Sequence, residues 1–317
     1  MIATDHSPMW RDMRVSCLLL ACLIGSTLTR QCLAQESRAA VTEPQKWAVI
    51  VVGLPGDKEH DKTFRDSADQ IQKWLVESLQ FPEGHIVRMP RETTDRDVSS
   101  GSLTAADIRS TLADVNQKLQ AQDSLWVFTL GHGNYDGKRA WFHVAGRDAS
   151  AEDFGRWFAD IRCREQVIWL THSSSGWFLK PLSKPGRIVM TATAADDEAN
   201  ETEFPHALAA VSQQPAAQLD ANRDQLVSVD ELYAAIVQEV LRRFKSDNRL
   251  PTEHAQLDDN GDGVGTESIL QSESEFTASQ AAKPPQTKTD GALARTTHVP
   301  YRLKPGSNVD RSQINSK

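Results

Sequence analysis

Cysteine is scarce in this chain, with four among 317 residues, and three of them, Cys17, Cys22 and Cys32, fall within the first 34 positions. If that leader is removed, Cys163 stands alone and no intramolecular disulfide can form, so stability must rest on a packed core, which bound ions could supplement. Long apolar runs are also missing. Val15 to Leu28, behind Arg11 and Arg14, is too short and too polar at its edges to span a bilayer and reads as a secretory signal. Cleavage is expected after Ala34, giving an exported (periplasmic or extracellular) protein. A lipid attachment at Cys22, after Leu19-Leu20-Ala21, is the alternative. Basic residues are outnumbered, 35 Lys and Arg against 43 Asp and Glu, for a net charge of −8. That balance disfavours nucleic acid and anionic membranes as partners.

What remains is ordinary globular material, 39% hydrophobic and 25% charged. After a linker over 35–45, apolar runs alternate with amphipathic segments. Ala48–Val52 is continuous and β-branched, as a strand covered on both faces should be. Phe64, Ala68, Ile71, Leu75 and Leu79 then fall on one helical stripe. The spacing predicts further strands at His85–Met89, Leu125–Leu130, Gln166–Thr171 and Arg187–Thr193, and a hairpin at Ala140–Val144. Helices are predicted behind the Thr104/Asp107 capping signal, with Ile108, Leu112, Val115 and Leu119 inward, and around Phe154, Trp157, Phe158 and Ile161. The expected fold is a three-layered, mostly parallel α/β sheet over 46–215 with helices on both faces, followed by a helical segment over 216–270 that belongs to the same domain. From 271 to 317 the composition turns to Ser, Gln, Pro, Lys and Thr, predicting a mostly flexible tail. Within it, Asp290–Ala294 and Val299–Tyr301 carry the residues that could dock back.

Ligands of open parallel sheets bind beyond the carboxyl ends of the strands. Two strands end in reactive residues. One runs into Gly131-His132-Gly133, where flanking glycines leave the imidazole accessible. The other runs into Thr171-His172-Ser173-Ser174-Ser175-Gly176. If the strands are neighbours, His132 and Ser173 share one cleft as a base and a nucleophile position. The bland alternative is two polar loops. A second alternative reads 172–176 as a Gly-x-Ser-x-Gly elbow without its first glycine, with His206, His254 or His298 as the downstream base.

In the order of these motifs the chain resembles the legumain and caspase-like cysteine peptidases, legumain most closely. Phe64-Arg65-Asp66-Ser67-Ala68-Asp69 stands where that family has a Tyr-Arg-His-Gln-Ala-Asp-type helix start, His132-Gly133 matches its His-Gly, and Ser173-Ser174-Ser175-Gly176 matches its Cys-x-Ser-Gly except at the nucleophile. The resemblance implies a general base at His132, a substrate-pocket residue at Arg65 and a nucleophile position at Ser173. Read from its own helix, Arg65 could instead pair with Asp69. Oxygen is a far weaker nucleophile than a thiolate, so a pseudopeptidase holding a peptide or protein partner is expected. An active serine-type endopeptidase using Ser173 and His132 is the first alternative, and a calcium-stabilised scaffold or adhesion module is the second. Cys163, ahead of its strand, lies too far away to substitute.

Calcium enters through Asp220, Asn222, Asp224, Leu226 (by its carbonyl), Ser228 and Glu231, the first, third, fifth, seventh, ninth and twelfth positions of an EF-hand loop. Gln225 occupies the sixth, where glycine normally makes the turn. Asp258, Asn260 and Asp262 repeat the spacing with Gly263 at the turn, but the twelfth residue is Ile269. Glu267 or a distant group must close that shell, or the segment is an Asx-rich turn. A legumain-like core combined with Glu253-His254 ahead of this Asp-Asp-Asn-Gly-Asp-Gly run is similar to exported bacterial relatives of the family, in which the nucleophile cysteine is often missing.

Overall fold

Alternation of buried side chains along each strand sets the architecture. In a computed structural model, which describes residues 43–90, 103–267, 290–299 and 301, the chain from Pro44 onward forms one unit. The expected leader, most of the 35–45 linker and the 271–289 segment lie outside the described residues. The elements run β1 (Lys46–Val52), α1 (Lys58–Glu77), β2 (Ile86–Met89), α2 (Ala105–Lys118) and β3 (Ser124–Leu130). A small antiparallel sheet follows, β4 (Gly133–Tyr135), β5 (Ala140–Phe142) and β6 (Ala149–Ser150). Then come α3 (Ala151–Ala159), β7 (Glu165–Leu170), a 3-10 turn (Ser175–Phe178), α4 (Leu179–Leu182) and β8 (Arg187–Thr191). The last third holds α5 (Phe204–Val211), α6 (Ala216–Leu219), β9 (Val227–Ser228), α7 (Val229–Ser246), β10 (Gln256–Asp258), α8 (Ala292–Thr296) and β11 (His298–Val299).

The central sheet has six strands in the order β10-β8-β7-β3-β1-β2, parallel throughout except for β10. It is buried on both faces, which is why its inner strands read as continuous apolar runs. Ala48, Ile50, Trp126, Phe128, Val167, Trp169, Ile188 and Met190 point into one core with α1, α5 and α7. Val49, Val51, Leu125, Val127, Ile168, Leu170 and Val189 point into the other with α2, α3 and α4. The helices start where side-chain caps allow. Asp57 accepts the Glu59 and His60 N–H groups at α1, and Thr104/Asp107 and Ser150/Asp153 form capping boxes at α2 and α3. Among the described residues no helix is long and apolar enough to cross a membrane.

One strand boundary needs correction, and two features add to the expected fold. The last parallel strand ends at Thr191 rather than Thr193, where the chain turns so that the Thr191 hydroxyl bonds the Thr193 carbonyl. The edge strand β10 was not foreseen, because it is three residues long and runs into an Asp-rich loop. The two tail segments that could dock back do so: Ala294 and Val299 are buried in the core, β11 pairs with β9, and the Trp74 indole donates to the Tyr301 hydroxyl at 3.0 Å. Sparse apolar anchors suffice there because the backbone supplies the remaining bonds.

Leu232, Ile236, Val240 and Phe244 of α7 share their core with α1 and the sheet. Ile236→Ala should therefore lower stability by about 2–5 kcal/mol while unfolding stays a single transition in urea. Two separable transitions would show that the C-terminal third folds independently.

Candidate functional site

The strand order reverses between β1 and β3, and at that switch point the two carboxyl ends stay in contact: the Gly53 N–H donates to the Leu130 carbonyl at 2.8 Å. From there the β1 end departs through Pro55 and the β3 end through His132. Nε2 of His132 lies 3.1 Å from the Pro55 carbonyl. A carbonyl only accepts, so this contact puts the proton of the neutral ring on Nε2 and leaves Nδ1 with a lone pair. The ring is held edge-on against Phe64 and His60, with centroids 5.1 and 4.9 Å away. His60, unforeseen from the sequence, bridges Glu201 at 3.1 Å and Asp57 at 2.7 Å, and those carboxylates, Glu201 foremost, raise its pKa.

The neighbouring strand brings the serines alongside. β3 and β7 pair in parallel with Thr129 opposite Leu170, so His132 and Ser173 each lie three residues past that pair. Gly133 explains how closely the two ends approach. A Cβ there would stand 2.6 Å from His172 Nδ1 and 2.7 Å from the Ser173 carbonyl.

The serine turn is closed rather than open. Ser173 is buried, with 4% of its surface exposed. Ser174 adopts left-handed backbone, φ 56°, and among the described residues its hydroxyl has no hydrogen-bond partner. Ser175 Oγ accepts the Ala192 and Thr193 N–H groups at 3.0 and 3.3 Å, tying the turn to the end of β8. The loop after β8 wraps over it: the Ser174 N–H donates to the Glu198 carbonyl, and the Trp177 indole to that of Asp196. Glu198 is braced from behind, accepting the Ala194 and His254 N–H groups and an ion pair from the His254 ring. Beside it, burial pushes the Glu253 carboxyl up to about 8, with one oxygen on the Glu203 N–H and the other unpartnered among the described residues. Cavities of about 410 and 510 Å³ lie elsewhere, beside Glu165 and Leu293 and beside Arg109 and Trp157.

Arg65 lies outside this cluster. Its Nε donates to Asp61 at 2.9 Å on its own helix, while Asp69 pairs with Arg88. Helix geometry accounts for this, since the face that reaches His132 carries His60 and Phe64. Cys163 sits before β7, where burial raises its thiol to about 11 and keeps it protonated. Of the downstream histidines of the elbow alternative, His206 lies on α5. His254 braces Glu198, and His298 belongs to β11.

The predicted calcium residues divide into two loops of one design. In the first, Asp220 accepts the Asp224 and Gln225 N–H groups, Asn222 Oδ1 that of Asp224, and Asp224 that of Leu226. In the second, Asp258 accepts from Gly261 and Gly263, Asn260 from Asp262, and Asp262 from Val264. Positive φ falls at the fourth and sixth positions of both: Arg223 at 63° and Gln225 at 74°, Gly261 at 82° and Gly263 at 78°. Gln225 thus makes the turn that glycine makes in the second loop, against the preference of L residues. Glu231 reaches back to the Ala221 and Asn222 N–H groups and to Ser228, then α7 departs as the exit helix. Among the described residues no group of three or more His, Cys, Asp and Glu side chains forms a metal site. The loops also offer Asn222, Ser228, Asn260, Thr266 and backbone carbonyls. Such an all-oxygen set fits calcium rather than a softer metal. Ile269 lies outside the described residues.

No family model and no curated protein matches this chain.

Burial lowers His172 to about 4, with Nδ1 donating to the Ser173 carbonyl and Nε2 unpartnered among the described residues. The folded ring stays neutral where an unfolded histidine protonates near 6.5, so the unfolded state binds more protons as pH falls. Stability is therefore lost from about pH 6.5 downward, by about 2 kcal/mol between pH 7 and 5. His172→Gln should remove that part of the pH dependence in urea unfolding, and an unchanged slope would contradict it. Gly133→Ala should cost about 1–3 kcal/mol, because the backbone oxygens it meets cannot move aside.

Proposed function

We propose that this is an exported pseudopeptidase of the legumain/caspase-like type, which binds a peptide or protein partner in the cleft at the ends of β3 and β7 and takes up calcium in its C-terminal loops. The observation that carries this reading is the pairing of an oriented base with a closed nucleophile turn. His132 has its tautomer set by the Pro55 carbonyl, as a general base requires. The side chain it would serve is Ser173, a hydroxyl in a buried turn. A thiol in this position would be partly ionised by a neighbouring histidine, whereas a hydroxyl needs a base in line and a donor pair for the oxyanion. Groups suited to holding a partner lie nearby. The stacked Tyr135 and Trp177 rings, 4.0 Å apart, and the carboxylates of Asp57 and Glu201 border the same end of the sheet.

Asp220, Asn222, Asp224, Ser228 and Glu231, with the Leu226 carbonyl, would hold calcium in the first loop, and Asp258, Asn260 and Asp262 would contribute to the second. Bound calcium supplies charge neutralisation to these carboxylates and so stabilises the folded loops.

The protein should leave a diverse peptide library uncut in calcium, as should Ser173→Ala. Cleavage that Ser173→Ala abolishes would establish instead an active serine endopeptidase. Thermal unfolding in millimolar calcium should occur several degrees above that in chelator, since a ligand held only by the native state adds about 3 kcal/mol at a hundredfold excess over its Kd. Coincident curves would remove the calcium part.

A further inference from the structure

The second loop lacks an acidic side chain at its twelfth position, yet a carboxylate occupies the corresponding place. In the first loop, Glu231 Oε1 accepts the N–H of the second residue, Ala221, at 2.9 Å, and Oε2 accepts the hydroxyl of the ninth, Ser228, at 2.7 Å. In the second loop, Asp290 Oδ1 accepts the N–H of the second residue, Asp259, at 3.2 Å, and Oδ2 accepts the hydroxyl of the ninth, Thr266, at 2.7 Å. The two carboxylates thus engage equivalent atoms, one from within its loop and one from a segment more than twenty residues downstream.

That segment is tied to both loops. The Asp259 carboxylate accepts the Gly291 and Ala294 N–H groups at 2.9 and 2.8 Å, holding α8 against the second loop. Arg295 then reaches Asp230 of the first loop at 3.2 Å, and His298 and Val299 pair with Ser228 and Val227. We infer that Asp290 is the closing carboxylate ligand of a second calcium site with Asp258, Asn260 and Asp262, so that calcium straps residues 290–301 onto the domain. The inference rests on the reading of these loops as calcium sites. A bidentate carboxylate is what an EF-type loop needs last, and the chain supplies it by folding back.

Calorimetric titration of the full protein with calcium should count two ions. Glu231→Gln and Asp290→Asn should each weaken one of them about tenfold or more and leave the other. Trypsin should cleave after Arg295 about tenfold more slowly in calcium than in chelator, because the strap must open for cleavage. Asp290→Asn should lose that protection, whereas Asp290→Glu, which keeps the carboxylate, should retain it in part. Two ions bound by Asp290→Asn with unchanged affinity would overturn the inference, as would wild-type protection that ignores calcium. A single ion that Glu231→Gln alone removes would also overturn it while leaving the first loop a calcium site. No ion bound by the wild type would bring down the calcium reading itself.

Discussion

The parallel pairing of β3 with β7 is the constraint on which the rest of the candidate site depends. Both strands are buried on both faces, so their register is set by two cores at once and a slip of one residue would reverse every side chain. That register carries the His132 loop and the Ser173 turn out of the sheet side by side. Glycine at 133 then lets the backbones approach to a distance that any side chain would prevent. The hydrophobic patterning of the strands and the chemistry at their ends are thus parts of one packing solution.

Around this junction the molecule invests in holding the turn shut. Ser175 and Gly176 are bonded to the end of β8, and the following loop is braced through Glu198 by His254. The segment carrying His254 continues directly into β10, whose last residue, Asp258, opens the second acidic loop. One short stretch of chain therefore supports the serine turn at one end and the proposed calcium site at the other. Ion binding there would act on the turn through an edge strand rather than through the core. The closed turn also sets the chemical balance. His132 has a defined tautomer, while Ser173 is buried in the turn.

Much of this was legible in the sequence because the relevant signals are local. Runs such as Ala48–Val52 and Leu125–Leu130 announce doubly buried strands, capping pairs such as Thr104/Asp107 mark helix starts, and alternating Asp and Asn mark the turns of the loop from Asp220 to Glu231. What was missed depends on contacts between distant segments. His60 resembles any helix-surface histidine until the fold places it beside His132. Asp290 sits in a stretch of low complexity, and only the return of the chain puts it opposite Thr266. Arg65 shows how a local partner is settled only by the fold, since its helix turns it toward Asp61 rather than Asp69. The β10 strand escaped notice because three residues give no measurable period.

The central claim is that position 173 lies within reach of a base with its tautomer already set. It is tested most directly by Ser173→Cys, with the rate of alkylation by a small haloacetamide measured against pH. The account predicts a thiol that titrates at least a unit below the ordinary value of about 8.5, and that returns toward it when His132→Ala is added. A thiol at 173 that titrates at or above the ordinary value, unaffected by His132→Ala, would contradict it.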